Sequence, residues 1–396
     1  MNLFAEEVRR DPYALFSKMR AESPLVRIPP PFDAWAVFDY DNVKRVLNDA
    51  ETFSSRVPAP RWFIFFDAPE HTRQRSLIAR AFTPKMIAAL EPMIAKFAGE
   101  LLDACETGAK RGEEIDLAAE FSGPLPMKVI ASIFGIPISD WELYTSWSDT
   151  ILTLSHTRGG DERAQRALND YGLVTIAMGQ YLGKMIEQRR AKPQDDLLTR
   201  LIEAKLEAEI DGEKLSHEDI LGFFQLLLVA GQETTSDLLN NAVLSFCENP
   251  EQFALLRARP ELIGSAIEEV LRYRSPFAWI MRTPRHDVEM HGQTIPEGAL
   301  VLAMLGSANR DASKFAEPDR FDITRDPNPH VAFGHGVHFC LGAALSRLEA
   351  RVALPMLFER FPHFELASEK PWNPRPALHV HGPANLPIRI ARKAAV

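Results

Sequence analysis

The longest helical pattern in the sequence, from Ser216 to Asn249, constrains the fold more than any other feature. The segment Ser216–Asp219 resembles a capping box at its start, and Asn249-Pro250 ends it. At about 1.5 Å per residue, a helix of this span is about 48 Å long. The stretch Phe223–Val229 is interpreted as apolar on every face of the helix, which predicts a buried middle. The helix is therefore long enough to cross a whole domain.

The pattern of the chain changes from helical to mixed near Tyr273. Before that point, Asp-Pro and Thr-Pro pairs predict helix starts at Asp11 and Thr83, with proline in the first turn. After it, short β-branched runs at 288–290 and 300–302 predict strands. Leucines spaced by three and four residues behind Cys340 predict a final helix. The sequence thus predicts a mainly α-helical fold with a minor β part.

Composition excludes several function classes. Asp and Glu outnumber Lys and Arg by 54 to 45, and the formal net charge of −9 disfavours nucleic acid or anionic membrane as a partner. No apolar run approaches the ~20 residues that a membrane-spanning helix needs, and Met1–Phe16 lacks the apolar core of a signal peptide. Three widely spaced cysteines favour a reducing compartment over a disulfide framework. We therefore expect a cytoplasmic protein that binds neither nucleic acid nor membrane.

The segment Phe333–Gly342 carries the strongest chemical signal. Its three glycines allow backbone conformations closed to other residues and the close approach of a flat ligand. Cys340 stands at the start of the predicted final helix, whose unpaired N–H groups and dipole favour thiolate over thiol. Taken alone, this cysteine is also compatible with a small buried hydrophobe or with a metal site formed with His335 and His338. The metal site fits zinc spacings poorly, because no distant Cys or His pair completes it.

The other polar motifs have plain structural interpretations when each is taken alone. The segment Ala230–Thr235 places an acid and two alcohols inside an apolar helix, where burial is costly, although a kinked core helix explains it equally simply. The pair Glu269 and Arg272 is most often a solvated bridge worth ~0.2–0.5 kcal/mol. His71 and Arg75, four residues apart, are most often a solvated basic face. None of these motifs alone identifies a function.

Together, these segments resemble the cytochrome P450 superfamily, whose motifs occur in the same order between His71 and Cys340. The Phe, the three Gly and the Cys of Phe333–Gly342 are similar to its haem-binding signature. The resemblance implies haem b (iron protoporphyrin IX) as cofactor, with Cys340 as the axial thiolate that favours O–O cleavage. It implies that His338 donates to a haem propionate. The further residues of this segment implied to contact the haem are Phe333, Gly334 and Gly342.

The resemblance also gives roles to the other motifs. The segment Ala230–Thr235 is similar to the family's oxygen-binding groove, with Ala230 and Gly231 beside the haem. Thr234 is implied to hold dioxygen and its water, and Glu233 to relay protons. The residues matching propionate ligands, for which an arginine fork is suited, are His71, Arg75 and Arg282.

For Glu269 and Arg272 the resemblance implies a structural role. In the family a second arginine joins such a pair, and Arg320 in the segment Pro318–Phe321 takes that place in the buried network. Removing one partner from a network of this kind typically costs ~3–5 kcal/mol. Because all matched motifs must meet around one porphyrin, residues 1–396 are expected to form a single domain. The haem is expected between the long helix and the helix after the cysteine.

The implied activity is that of a monooxygenase, which inserts one oxygen atom from O2 into a hydrophobic small molecule such as a fatty acid, terpenoid or steroid. The alternatives are a peroxide-driven peroxygenase, which does not need Glu233 and Thr234, and a non-catalytic haem sensor or carrier. By position, the residues expected to line the substrate pocket are Trp62, Phe63, Leu226, Val229, Ala278, Ile280, Pro383 and Ala384.

Electrons are expected from separate proteins. The sequence has no Gly-x-Gly-x-x-Gly fingerprint, and three cysteines are too few for an internal iron–sulfur cluster with four thiolate ligands. A ferredoxin or flavodoxin with an NAD(P)H-dependent reductase is therefore the expected partner. We expect a monomer. The arginines expected to dock the partner are Arg73, Arg80, Arg347 and Arg351.

Overall fold

A computed structural model describes residues 5–30, 32–56, 60–108, 114–156, 162–204, 214–367 and 372–391 of the chain. The fold is mainly α-helical with a small β part, as predicted. The α-helices in these ranges are α1 (Glu6–Arg10), α2 (Tyr13–Glu22), α3 (Tyr40–Asn48), α4 (Glu70–Ala81), α5 (Pro84–Ala88), α6 (Glu91–Gly108), α7 (Pro124–Phe134), α8 (Trp141–His156), α9 (Glu162–Ala191), α10 (Leu197–Glu203), α11 (His217–Glu248), α12 (Pro250–Ala258), α13 (Ile263–Tyr273), α14 (Leu305–Ala308) and α15 (Ala343–Arg360). The strands are β1 (Leu25–Ile28), β2 (Ala34–Val37), β3 (Phe53–Ser54), β4 (Glu114–Asp116), β5 (Ile280–Pro284), β6 (Val288–Met290), β7 (Gln293–Ile295), β8 (Leu300–Ala303), β9 (His363–Leu366) and β10 (Pro387–Ala391).

The helix starts agree closely with the sequence signals. Ser216 caps α11 reciprocally with Asp219: its hydroxyl accepts from the Asp219 N–H, and the Asp219 carboxylate accepts from the Ser216 N–H, both at 3.0 Å. The Thr83 hydroxyl caps α5 by accepting from the backbone N–H of Met86 at 3.2 Å. The helix predicted to begin at Asp11 begins two residues later at Tyr13. None of the helices in the described ranges is long and apolar enough to cross a membrane.

The chain divides into two compact units. The first unit consists of Met1–Arg56, Ile94–Pro124 and Thr234–Val396, and the second of Val57–Met93 and Leu125–Glu233. The division falls inside α11, so this helix contributes residues to both. The expectation of a single domain stays a prediction.

The first unit contains the strands of the described ranges. Its main sheet has the order β1-β2-β8-β5-β3, with β2 and β8 parallel and the other neighbouring pairs antiparallel. The two strands predicted from β-branched runs are found as β6 and within β8. In this sheet Ala36 faces Leu302 of β8, and both side chains are fully buried. In the same sheet β5 lies between β8 and β3, and it carries two candidate site residues, Ile280 and Arg282.

In the described ranges the second unit is almost entirely helical, and α11 forms its buried centre. The stretch Phe223–Val229 is mostly buried, as predicted, but it includes the polar side chain of Gln225. The Gln225 amide oxygen accepts from the Tyr171 hydroxyl at 3.1 Å and from Trp62 Nε1 at 3.4 Å, and its nitrogen donates to Thr175 at 2.9 Å. These bonds offset the cost of burying an amide.

Candidate active site

The cysteine loop (residues 333–342) depends on glycine conformations that other residues rarely adopt. Gly334 and Gly336 both have a φ of +71°. A Cβ added at Gly336 would lie 3.0 Å from the side-chain oxygen of Asn48, the last residue of α3. The loop therefore packs so closely against α3 that a side chain at position 336 would require Asn48 to shift.

Cys340 differs from the other two cysteines in exposure. Its backbone N–H donates to the carbonyl of Phe333 at 2.9 Å, and the residue is exposed near the N-terminus of α15. Burial raises the pKa of the Cys105 thiol to about 11 and that of the partly buried Cys247 thiol to about 12. Both therefore stay protonated near neutral pH. Cys340 is the cysteine whose surroundings suit a thiolate ligand.

The alternative of a three-ligand metal site at the cysteine loop is wrong. Within the described ranges, no group of three or more His, Cys, Asp or Glu side chains could hold a metal ion.

His338 of this loop is held by a hydrogen bond: its Nε2 atom lies 2.9 Å from the Ser55 hydroxyl, which fixes the ring next to β3.

An ion-paired cluster contacts the start of the cysteine loop. The Arg347 guanidinium lies 4.4 Å from the ring centroid of Phe333 and donates two hydrogen bonds of 2.7 Å to Glu268. His330 Nε2 lies 3.0 Å from the same carboxylate. Burial raises the pKa of Glu268, but hydrogen bonds from Arg347 and His330 outweigh it and hold the pKa at about 2. Arg347, one of the arginines expected to dock the electron-transfer partner, thus forms an ion pair with Glu268 within the protein. Arg351, another of these arginines, is exposed.

A second network is centred on Glu269, and here one prediction is wrong. Glu269 and Arg272 are fully buried and joined by two hydrogen bonds of 2.8 Å. The predicted third member, Arg320, has a side chain that is 57% exposed and pairs with Glu317 at 3.2 Å. Arg325 takes its place, with Nε at 3.2 and 3.3 Å from the two carboxylate oxygens of Glu269. The Arg320 side chain points away from the network, and only its backbone carbonyl takes part, accepting a hydrogen bond from Arg272 at 3.0 Å.

The network fixes the segment that leads into the cysteine loop. Arg272 donates to the carbonyls of Asn309 at 3.0 Å and Pro318 at 2.7 Å. The Asn309 side chain accepts from the N–H of Val331 at 2.7 Å, two residues before the loop begins. The network therefore joins α13 to the loop through backbone contacts. No local pattern in the sequence indicates Arg325, because its contact with Glu269 spans 56 residues.

Thr234 and Thr235 belong to the first unit, as Cys340 does. Thr235 is buried, and its hydroxyl donates to Ser346 on α15 at 3.4 Å. Thr234 is half-buried. The structure therefore brings the helix turn that carries Thr234 to the helix that follows Cys340.

The preceding residues of this motif belong to the second unit. Glu233 is buried, being 5% exposed, whereas Ala230 is exposed although most of the neighbouring helix is buried. A Cβ at Gly231 would lie 2.2 Å from Cδ1 of Ile130 on α7, so only glycine fits this close approach. Gln232 accepts from the Ser148 hydroxyl at 2.5 Å.

Three of the predicted propionate ligands lie on a strand or an α-helix. In the first unit, Arg282 is on β5, is 6% exposed, and donates to the carbonyl of Met281 at 2.8 Å. In the second unit, His71 and Arg75 are one turn apart on α4. His71 is buried, and its ring stacks on Phe63 with centroids 5.9 Å apart.

The pocket residues predicted in the first unit lie on adjacent segments. The N–H of Ala278 donates to the carbonyl of His379 at 2.8 Å, which joins the start of β5 to the segment containing Pro383 and Ala384. Ile280 is half-buried, and its side chain lies 3.9 Å from the position of a Cβ at Gly334 in the cysteine loop. Ile280 therefore lies close to the cysteine loop, and Ala278 is joined to the segment that leads to Pro383 and Ala384.

The pocket residues predicted in the second unit are Trp62 and Phe63, which are buried, with Leu226 and Val229 on α11. Phe63 contacts Phe223 of α11, with ring centroids 6.2 Å apart. Arg61, next to Trp62, forms an ion pair with Glu70 at 3.3 Å.

The donor set fits haem b. An exposed thiol near a helix N-terminus suits a thiolate ligand to iron, and glycines with positive φ permit a backbone close to a flat ring. Arg282 and His338 in the first unit, and His71 and Arg75 in the second, are hydrogen-bond donors of the kind that bind carboxylates.

Comparison with known proteins agrees with this chemistry. The model of the family "Cytochrome P450" matches residues 4–386. Cytochrome P450 109 of Bacillus spizizenii is 39% identical over 393 residues, covering 99% of this chain and 95% of that protein. CYP109E1 of Bacillus megaterium, solved in complex with testosterone, is 37% identical with a TM-score of 0.86, covering 96% of this chain and 99% of that one. P450BioI, solved in complex with an acyl carrier protein ligated to hexadec-9Z-enoic acid, is 34% identical with a TM-score of 0.87, covering 97% and 99%. The chain therefore belongs to the cytochrome P450 family and is a monooxygenase with haem b as its cofactor.

Proposed function

We propose that this monooxygenase inserts one oxygen atom of O2 into a C–H bond of a fatty acid, terpenoid or steroid. The observation that supports the proposal most strongly is the hydrogen bond between Thr235 and Ser346, because it links the turn of Thr234 to the helix that follows Cys340. Haem b is proposed to lie between α11 and the cysteine loop, with Cys340 as its thiolate ligand.

When bound, haem b supplies the redox chemistry, in which substrate, O2, two electrons and two protons give the alcohol and water. The N-terminus of α15 favours the thiolate of Cys340 through unpaired N–H groups and the helix dipole. The buried Glu233 carboxyl delivers protons, and the Thr234 hydroxyl holds the water that passes them on. The roles proposed for Arg282, His338, His71 and Arg75 are to bind the two propionates.

Thr234→Ala is expected to uncouple electron consumption from hydroxylation. Without the hydroxyl, Thr234 no longer offers the hydrogen bond that would hold a water molecule, so proton delivery from Glu233 is expected to become less efficient. Hydrogen peroxide is then expected to form at the expense of product. The ratio of product formed to NAD(P)H consumed, measured together with hydrogen peroxide, is expected to fall several-fold while NAD(P)H consumption continues.

The matched control for this experiment is Thr235→Ala, which removes the same hydroxyl one residue along α11. Thr235 donates to Ser346 rather than serving the proton path, so its loss is expected to reduce stability by about 1 kcal/mol and to leave the coupling ratio unchanged. Equal uncoupling in both variants would assign the effect to helix packing.

Full turnover with hydrogen peroxide, and none with redox partners, would indicate a peroxygenase.

The apolar character of the predicted pocket residues supports a hydrophobic substrate. Ala278, Ile280 and Pro383 offer no charge to a substrate, and Trp62 and Phe63 are the aromatic members of the set. The two solved relatives bind a steroid, testosterone, and a fatty acyl chain carried by an acyl carrier protein. We propose that steroids and fatty acids also bind to this protein. Spectral titrations with testosterone and with palmitoleic acid test this proposal, because a bound substrate is expected to displace water from the haem iron.

Electron transfer from a ferredoxin or flavodoxin is proposed to depend on ionic strength. The exposed Arg351 would attract an acidic partner, and screening lengths fall from ~10 Å at 0.1 M salt to ~3 Å at 1 M. The rate of haem reduction by the partner, followed by stopped flow under carbon monoxide, is expected to decrease as salt rises. Arg351→Gln is expected to weaken the salt dependence, whereas Arg320→Gln is the control for an exposed arginine elsewhere. A rate independent of salt would contradict electrostatic docking.

A further inference from the structure

A short hairpin near the C-terminus (residues 373–384, the C-terminal hairpin) carries two of the predicted substrate contacts. The N–H of Ala384 donates to the carbonyl of Asn373 at 2.7 Å, and the N–H of Arg375 donates to the carbonyl of Gly382 at 3.0 Å. Pro383 lies between these bonds, paired with Pro374 in an antiparallel bridge. The position of the whole hairpin therefore determines where Pro383 and Ala384 lie.

The hairpin is held on α11 by an ion pair between the buried Asp237 and the partly buried Arg375. Asp237 is fully buried, and its Oδ1 accepts from Nε of Arg375 at 2.9 Å. Arg375 also donates to the Ser236 hydroxyl at 3.0 Å. A Cβ added at Gly382 would lie 2.4 Å from Cγ of Asp237, so the carboxylate packs directly on the hairpin backbone. The pair therefore fixes both the distance and the direction of the hairpin relative to α11.

A second contact lies one turn further along α11. The side chain of Asn241, fully buried, donates to the carbonyl of His381 at 2.9 Å and to that of Arg274 at 3.1 Å. Asp237 and Asn241 are four residues apart and so share a face of the helix. Asp237 is also three residues after Thr234, which places the hairpin beside the turn proposed to serve oxygen activation.

An ion pair is a costly way to stabilise a core. Taking a carboxylate and a guanidinium out of water costs several kcal/mol per ion, and apolar residues of similar volume often serve stability as well or better. Unlike apolar packing, the pair fixes a direction, because the guanidinium donates its hydrogen bonds close to its own plane. A position fixed this tightly matters where a small displacement changes which molecules fit.

We propose that Asp237 and Arg375 are specificity-determining positioning residues: their ion pair sets the C-terminal hairpin beside Thr234 and thereby limits the size of the substrates that the protein accepts. The inference rests on the proposed function, in which Pro383 and Ala384 contact the substrate. Neither Asp237 nor Arg375 touches the substrate itself. Their effect is transmitted through the hairpin backbone.

Two azoles of different size test the proposal without knowledge of the natural substrate. Imidazole binds haem iron and reaches little further, whereas 4-phenylimidazole extends into the pocket. In Asp237→Asn and in Arg375→Gln, the Kd of 4-phenylimidazole from spectral titration is expected to change by about tenfold, the scale of one altered pocket contact. The Kd of imidazole is expected to stay within about twofold, and the carbon monoxide spectrum is expected to be unchanged.

The second unit offers a matched control pair. Arg189 and Asp196 are joined at 2.6 Å with both side chains 6% exposed, so Asp196→Asn perturbs a buried ion pair of the same chemistry. This variant is expected to lose thermal stability without altering the ratio of the two azole affinities. If Asp237→Asn does not fold, Arg375→Lys keeps the charge but loses the bond to Ser236, and an intermediate change in the ratio is expected.

The outcomes separate this inference from the proposed function. Folded variants of Asp237 and Arg375 in which both azoles change equally, or in which neither changes, overturn the positioning role. The same ratio change in Asp196→Asn also overturns it, because the effect then reflects general loosening. A wild-type protein whose haem binds neither azole overturns the proposed function instead.

Discussion

Cys340→Ser is expected to abolish both the strongly red-shifted Soret band of the reduced, carbon monoxide-bound protein and all O2-dependent product formation. The thiolate donates electron density that a serine hydroxyl does not supply, and this donation favours cleavage of the O–O bond. The residue is exposed at the helix N-terminus, so the change removes a ligand without opening a cavity in the core. Absorption spectra after addition of dithionite and carbon monoxide, with haem content measured separately, give the result directly.

Cys247→Ser is the control for this variant. Cys247 is partly buried on α11, and burial raises the pKa of its thiol to about 12, so it is a poor thiolate donor at neutral pH. Its replacement is expected to leave the red-shifted band intact. If the band survives in Cys340→Ser and disappears in Cys247→Ser, the assignment of the haem ligand is wrong.

The features that the sequence predicts well depend on neighbours in the chain. Ser216 and Asp219 cap α11 as their spacing indicates, since both partners lie within one turn. The position of Cys340 before α15 is likewise a local feature of a glycine-rich loop and the leucine pattern behind it. In such segments backbone geometry and side-chain chemistry are set by residues a few positions apart.

The features that the sequence misses depend on contacts between distant segments. Arg320 and Arg325 stand five residues apart, and nothing local distinguishes the buried one from the exposed one. Asp237 and Arg375 are 138 residues apart, so neither charge reveals its partner in the sequence. Gln225 can interrupt an apolar stretch because its buried amide forms hydrogen bonds with Tyr171 and Thr175, which are distant in the sequence. Polar contacts between residues far apart in the chain are therefore visible only in the structure.

Glu269→Gln is expected to lower the free energy of unfolding by ~3–5 kcal/mol, the range for breaking a buried ion pair by removing one partner. The change leaves the guanidinium of Arg272 fully buried and that of Arg325 largely buried, with no carboxylate between them. Because Arg272 also holds the carbonyls of Asn309 and Pro318, the segment leading into the cysteine loop is expected to loosen. Urea unfolding followed by circular dichroism, with the rate of haem loss as a second readout, measures both effects.

Comparison of the two arginines decides whether Arg325 is the true third member of this network. Arg325→Gln removes hydrogen bonds to Glu269 and to the carbonyl of Ala316 at 2.7 Å, so it is expected to cost ~2–4 kcal/mol. Arg320→Gln removes a solvated bridge to Glu317 and leaves the Arg320 carbonyl in place, so a change within about 0.5 kcal/mol is expected. Similar losses in both variants would mean that the Arg320 side chain does contribute, as the family resemblance implies. A loss of stability confined to Arg325→Gln would show that the side chain of Arg325, and not that of Arg320 from the family motif, is the third member of the network.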